Sequence, residues 1–356
     1  MRERFPDAHT IDLLDEARFQ LLAANPGLLS EELHGLPRQK LVVLDEVQRV
    51  PALLNEAHRA IEESRRRFIL VGSSARRLKT AGTNLLAGRA SVRMMYPLLP
   101  SEMDTDFNLA RVLRFGSIPL VWHAEDPEAA LEAYVHLYVR EEIRAEAMVR
   151  NLPAFLRFLP VAALFHGQVI NIAGLARDSA AARTTIEGYI GILQDTLLAV
   201  LLPAFEPQLR VRERKHPKLY WTDPGLVRAA KRNSGPVTSE ERGALLEGFI
   251  LMMMQAHNGS QRFFDDISYW APAQARQTEV DFLLRLGKDY LAVEVKSQSR
   301  YVPNLLTGLH AIAELPRLRR RVLVYGGEQK LRTGDGIDVW PLTTFFDAIA
   351  ANRLWP

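Results

Sequence analysis

The sequence predicts an α/β protein in three parts. A doubly wound parallel sheet comes first, then a helical middle ending in a winged-helix pattern, then a C-terminal α/β domain. Three observations predict it. Short runs that are apolar throughout alternate with helical spacers over roughly the first hundred residues. Near the middle, two helical segments around a polar turn are followed by two apolar runs. Near the end, two strand-like segments separated by Gly287-Lys288 carry acids and a lysine at alternate positions. The domains on this reading are 1–103, 104–235 and 236–356.

The first apolar runs are TIDLL (10–14), LVVLDE (41–46) and FILVGSS (68–74). Runs without alternation suit parallel strands buried on both faces. Between the last two, PALLNEAHRAIEESRRR (51–67) has helical periodicity with a polar outer face. A β-α-β order places ligands at the carboxyl ends of the strands. Asp45 and Glu46 follow one strand there, and Ser73 and Ser74 follow the next. An aspartate so placed can hold a magnesium ion bridging the outer phosphates. The neighbouring glutamate can polarise the attacking water, and a serine on the adjacent strand can sense the terminal phosphate. The competing reading is a strand that merely ends in two surface acids.

LVVLDEVQRVP, FILVGSSARRL and NLLAGRASVRMMYPLLPSEM resemble, in order and spacing, a prokaryotic family of AAA-type ATPases whose C-terminal half is a domain of unknown function. The resemblance continues through YVHLYVREEI (134–143), KLYWTDPGLV (218–227) and the C-terminal strands below, and so covers essentially the whole chain. It implies a partial AAA-type parallel sheet, with Asp45 and Glu46 as the Walker B pair, Ser73 as sensor 1 and Arg89 of LAGRA near the phosphates. As a plain residue, Arg89 is equally a surface arginine on a helix-to-strand turn.

One departure is large. The chain contains no G-x-x-x-x-G-K-[ST] phosphate cradle, and the nearest stretch, Gly82 to Gly88, has the wrong spacing. Family members open with a strand and such a loop before the segment matching RERFPDAHTIDLLD. Met1 is therefore expected to be an internal methionine of a longer product, with a decayed paralogue that binds no nucleotide as the rival. ATP is expected as a cofactor only with the upstream loop present. The missing first strand is expected to be central, flanked by the Walker B strand and the fourth strand. Without it, buried backbone groups would lose partners at about 1–3 kcal/mol each.

In the middle, LEAYVHLYVREEIRAEAMV (131–149) is the clearest helical segment, with Tyr134, Leu137 and Tyr138 on one face. Residues 167–205 suggest a helix-turn-helix whose second helix begins near Ala181, with LLAVLLPAF and KLYWTD as wing strands. Arg183, Thr184 and Thr185 then open the helix that a DNA reader would present. Such folds also serve as spacers or protein docks. KRNSGPVTSEERG (231–243) is the expected linker into the last domain.

The sharpest chemistry lies in ARQTEVDFLLRLGKDYLAVEVKSQS (275–299). If EVDFLLRL and DYLAVEVK form a hairpin around a two-residue turn, Asp281 faces Glu294 and Glu279 faces Lys296. Side chains two apart share a face, so Asp281, Glu294 and Lys296 meet. Opposed carboxylates repel, and either a divalent cation or the lysine must compensate. This D-x12-E-x-K arrangement resembles the PD-(D/E)XK nuclease motif, which implies a restriction-endonuclease-like α/β domain. In it Asp281 and Glu294 hold Mg2+, and Lys296 orients water or steadies negative charge. The resemblance also implies an acid from an earlier helix, for which ALLEGFILMMMQ (244–255) offers Glu247. An ordinary amphipathic ribbon, and a boundary glutamate at 247, are the alternatives.

Composition bounds the rest. At 356 residues, 47% hydrophobic and 24% charged, with a mean hydropathy of −0.09, the chain has ordinary globular composition in more than one domain. It has no cysteine, which excludes disulfides and thiolate zinc sites. The start has no apolar core of the secretory kind, and no window is long and apolar enough to span a bilayer, so a cytoplasmic protein is expected. A net charge of +3 is modest, but basic residues cluster in 65–67, 210–218 and 317–321. Nucleic acid is the expected partner, a membrane is not, and a homo-oligomer stays open. Three functions remain: a nucleotide-driven machine acting on nucleic acid, a non-enzymatic DNA-binding or assembly protein, and a magnesium-dependent nuclease.

Overall fold

The computed structural model describes residues 4–72, 89–138, 143, 151–205, 216–272 and 278–356. The chain forms two compact units. Residues up to Val92, with Asp195–Leu197, make the first, and Arg93–Gln194 with Leu198–Pro356 make the second. The stretch 231–243, read as a linker, joins two parts of the second unit. Thr238 within it starts a long helix through a reciprocal capping box with Glu241.

The first unit is a parallel sheet of β1 (His9–Asp12), β2 (Val42–Asp45) and β3 (Phe68–Leu70), in that spatial order. Central position explains why Val42, Val43 and Leu44 are almost wholly buried. Asp15 caps helix Glu16–Ala24 by accepting from the Ala17 and Arg18 amides. Helix Leu53–Ser64 supplies the crossover from β2 to β3 and buries Leu53, Leu54 and Ala57.

Two expectations are corrected here. β2 pairs directly with β3 through Val42–Phe68, Val43–Ile69 and Leu44–Leu70, so no absent strand lies between these two. The backbone groups of β2 have partners on both sides. The basic cluster 65–67, counted above towards a nucleic-acid partner, turns one of its arginines inward. Arg66 is 5% exposed and donates to the carbonyls of Leu33, Leu36 and Pro37, closing the open end of helix Leu28–His34.

The second unit carries two sheets. The smaller is β4 (Gln168–Val169), β6 (Lys218–Trp221) and β5 (Ala199–Leu202), with β6 in the middle and antiparallel to both. Helices Ile172–Asp178 and Arg183–Asp195 precede its β5–β6 pair. The larger sheet runs β11 (Leu331–Arg332), β12 (Asp338–Pro341), β10 (Leu318–Tyr325), β9 (Asp289–Lys296), β8 (Val280–Leu286), β7 (Asp266–Trp270). β10 is parallel to β9 and β12, whereas β7, β8 and β9 are antiparallel in series.

Beyond β5 the chain continues onto β7. Phe205 N donates to Tyr269 O at 2.7 Å and Tyr269 N to Pro203 O at 2.9 Å, which stitches the small sheet to the large one. Helix Ser239–Gln261 is the core of this unit, with Leu245 through Met254 buried almost without break. Its Phe249 packs against Phe107 and Phe346 with ring centroids 6.4 and 6.2 Å apart.

Asp223, fully buried, ties the helical middle to the end of β6. It accepts from Ser117 N at 2.7 Å and, as the cap of helix Pro224–Ala230, from Gly225 N at 2.8 Å and Leu226 N at 3.2 Å. Three buried donors lose their acceptor if it is truncated. Asp223→Ala should therefore lower unfolding free energy by about 3 kcal/mol in urea titration; a loss under about 1 kcal/mol would show that the lock contributes little.

Candidate functional site: a buried acid and lysine cluster

The β8–β9 hairpin turns at Gly287, whose φ of 60° lies in the region glycine adopts freely. Its register runs Phe282–Val293, Leu283–Ala292 and Leu284–Leu291, which is the expected one. Asp281 and Glu294 therefore come together at the hairpin's open end. They are 1% and 4% exposed, so the wet face of an amphipathic ribbon is not where they lie.

Three of their four oxygens are hydrogen-bonded, and the fourth faces a lysine. Asp281 Oδ2 accepts from Val295 N at 2.8 Å, and its Oδ1 lies 3.9 Å from Lys218 Nζ. Glu294 Oε1 is 2.5 Å from Lys296 Nζ, and its Oε2 accepts from Asp281 N at 3.4 Å. Glu279 does not pair with Lys296 as its register position suggested; it accepts from Lys218 Nζ at 3.0 Å. Glu247 reaches the same place from helix Ser239–Gln261 and accepts from Tyr220 Oη at 3.0 Å.

Electrostatics follow from this crowding. Burial first, then the Asp281 charge, hold the Glu247 carboxyl at about 8. Burial raises Asp281, against the pull of Lys296 and Lys218. Burial and then Asp281 push Glu294 well above the ordinary glutamate range. Burial opposes the Lys296 and Lys218 ammonium groups, yet Asp281 and the other acids around them outweigh it and raise both.

The arrangement does not fit a metal as it stands. Among the described residues no three of His, Asp and Glu are placed to hold one ion. The cations present are ammonium groups, one of them on Glu294 itself.

Lys218, Tyr220 and His166 were not singled out in the sequence. Lys218 and Tyr220 lie on β6 and reach Glu279 and Glu247 across 61 and 27 residues of chain. His166 fastens β6 to the helix that carries Glu247. Its Nδ1 accepts from Trp221 N at 3.1 Å and its Nε2 donates to Ala244 O at 2.9 Å. A Cβ at Gly248 would fall 2.5 Å from the His166 ring, so only glycine leaves room there. The one available signal was a lysine within a strand that is otherwise apolar.

At the N-terminal strand tip, Asp45 Oδ1 accepts from Glu46 N at 3.1 Å, and Glu46 adopts a left-handed backbone with φ 56°. Gln48 Nε2 donates to Glu46 Oε2 at 2.5 Å. Non-glycine residues hold this conformation at a cost, and they concentrate at functional turns. Arg49 donates to Leu13 O at 2.5 Å and lies over the Phe19 ring, fixing the turn to the end of β1. Ser73, with Ser74 and the Gly82–Gly88 stretch, lies outside the described residues. Arg89 is ion-paired with Glu62 of helix Leu53–Ser64.

In the region read as a helix-turn-helix, Arg183 begins helix Arg183–Asp195, two residues later than expected. Arg183 and Thr184 are exposed and Thr185 is half-buried, and Arg183 Nε lies 3.1 Å from Glu187 Oε1. The basic run 317–321 is largely matched within the fold: Arg319 by Asp289 at 3.1 Å, Arg320 by Asp338 at 3.3 Å and Arg321 by Asp335 at 3.3 Å. Most of 210–218 lies outside the described residues. No helix among the described residues is long and apolar enough to cross a membrane.

Comparison with known proteins agrees with an AAA-type N-terminal region. A family model described as AAA domain matches residues 2–103. Models described as domain of unknown function match residues 106–236 (DUF8612) and 242–345 (DUF4143). Uncharacterized protein Rv2008c of Mycobacterium tuberculosis and uncharacterized protein Mb2031c of Mycobacterium bovis are each 26% identical over 327 residues, covering 89% of this chain and 71% of theirs. Protein VC1899 from Vibrio cholerae, a crystal structure, aligns with 89% of this chain and 90% of its own at 13% identity and a TM-score of 0.25. Superposition that loose supports no assignment of fold.

Burial lowers the His166 imidazole to about 3, so the folded chain keeps it neutral. An unfolded histidine protonates near 6.5, and protons then favour the unfolded chain between those values. The stability difference between wild type and His166→Gln should shrink by about 1.4 kcal/mol per pH unit as pH falls from about 6.5 towards 4. A pH-independent difference in parallel urea titrations would mean that His166 takes up its proton equally readily in the folded and unfolded chains.

Proposed function

We propose that this chain is an AAA-type protein that acts on nucleic acid, with the winged helix as its reader and the nuclease-like sheet as a module that binds without cutting. One observation carries the reading. Glu247, Asp281, Glu294 and Lys296 converge from one helix and two strands, in the order the PD-(D/E)XK resemblance implies, yet Asp281 and Glu294 already face lysine ammonium groups and backbone amides.

The chemistry open to such a cluster is recognition. Lys296 is about a third exposed and presents positive charge beside buried acids, which suits contact with a phosphate backbone. Arg183 and Thr184 offer the exposed start of a helix in the position from which a DNA reader reaches base edges. The Asp45–Glu46 tip supplies the carboxylates of a nucleotide site, and the phosphate cradle is the part this polypeptide lacks.

Fluorescence anisotropy should therefore show duplex DNA binding by the full chain that weakens steeply with salt, with Arg183→Ala reducing affinity by about tenfold. Plasmid incubated with the protein and magnesium should stay intact. Nicking that disappears in Glu294→Ala and Lys296→Ala would replace this reading with that of a magnesium-dependent nuclease. ATP turnover should stay at background and be unchanged by Glu46→Gln; turnover lost in that variant would mean the tip hydrolyses nucleotide without a cradle.

A further inference from the structure

We infer that Lys218 is the built-in cation of the acid cluster: its ammonium sits between Glu279 and Asp281, against a carboxylate that a divalent metal would need, and it keeps magnesium and manganese out. The inference deepens the non-cutting reading of this site and rests on it for the site's identity, but its test reads metal uptake alone.

The geometry is direct. Lys218 Nζ lies 3.0 Å from Glu279 Oε1 and 3.9 Å from Asp281 Oδ1, so it bridges two carboxylates carried one pleat apart on one strand segment. Its side chain is only 3% exposed. The Tyr269 ring closes over it with the ammonium 5.3 Å from the centroid, a contact that favours a cation. A lone buried ammonium is unstable unless paired, and here one of the two partners, Asp281, is an acid a metal would use.

A hydrated divalent ion needs oxygen ligands in near-octahedral array at about 2.1 Å, and a fixed ammonium a few ångströms away opposes it by like charge. The Lys218 backbone is paired on both sides. It sits in the central strand of the small sheet, opposite Val169 on one side and Leu202 on the other. Three residues further on, Trp221 N is held by His166, which also holds the Glu247 helix through Ala244. The lysine arrives from the winged-helix sheet and the acids from the nuclease-like sheet, so the docking of one sets the charge of the other.

Manganese binding to the intact chain, followed by loss of the free-ion paramagnetic resonance signal, tests this at about 1 mM metal, the range of weak carboxylate sites. Wild type and Asp281→Asn should take up manganese equally, any shared uptake belonging elsewhere in the chain. Lys218→Met should bind manganese at least tenfold more tightly than Lys218→Met/Asp281→Asn. Asp281-dependent uptake by the wild type would overturn the inference, and so would a Lys218→Met chain with wild-type circular dichroism and no Asp281-dependent uptake. If Lys218→Met does not fold, Lys218→Gln takes its place and the wild-type comparison still decides. DNA binding can fail while these outcomes stand, and metal uptake can appear while DNA still binds, so failure here and failure of the proposed function are separable.

Discussion

Two carboxylates opposed in the middle of a sheet, shut off from water, cannot both be ionised without cations or donors beside them. That constraint governs the second unit. Asp281 and Glu294 are brought together by the hairpin register and made tolerable by two lysines and two backbone amides. Lys296 comes from the same hairpin, but Lys218 has to come from another sheet. The seam at Tyr269, the His166 bridge and the burial of β6 all serve to deliver it. Removing the acids would leave the lysine equally stranded, so each sheet depends on the other's charge.

The parts legible in the sequence are those fixed by local periodicity and turn chemistry. A glycine at the only two-residue turn of β8–β9, together with period-two alternation, sets which residues face each other, and the register follows. The three apolar runs locate the N-terminal strands by their unbroken apolar character, and the polar turn before Arg183 separates the two helices around it. Strand order was not legible. β2 and β3 lie side by side because helix Leu53–Ser64 links neighbours, whereas a family expectation had set a further strand between them.

Charge partners over long spans were the least legible. Lys218 and Glu279 are 61 residues apart, and His166 and Trp221 are 55 apart, with no local pattern joining either pair. Basic runs also mislead when read as surfaces. Arg66 closes a helix end with three hydrogen bonds and Arg320 is held by Asp338 and the Leu354 carbonyl, so these side chains are structural despite their composition.

The stitch between Pro203–Phe205 and Tyr269 bears on how such proteins are inherited. Its two strands fall on opposite sides of the point where one family match ends and the next begins. A gene fusion that swapped either segment for a foreign one would leave a main-chain seam unmatched and a buried ammonium without its acids. A replacement for either segment would have to preserve both the seam and the charge match.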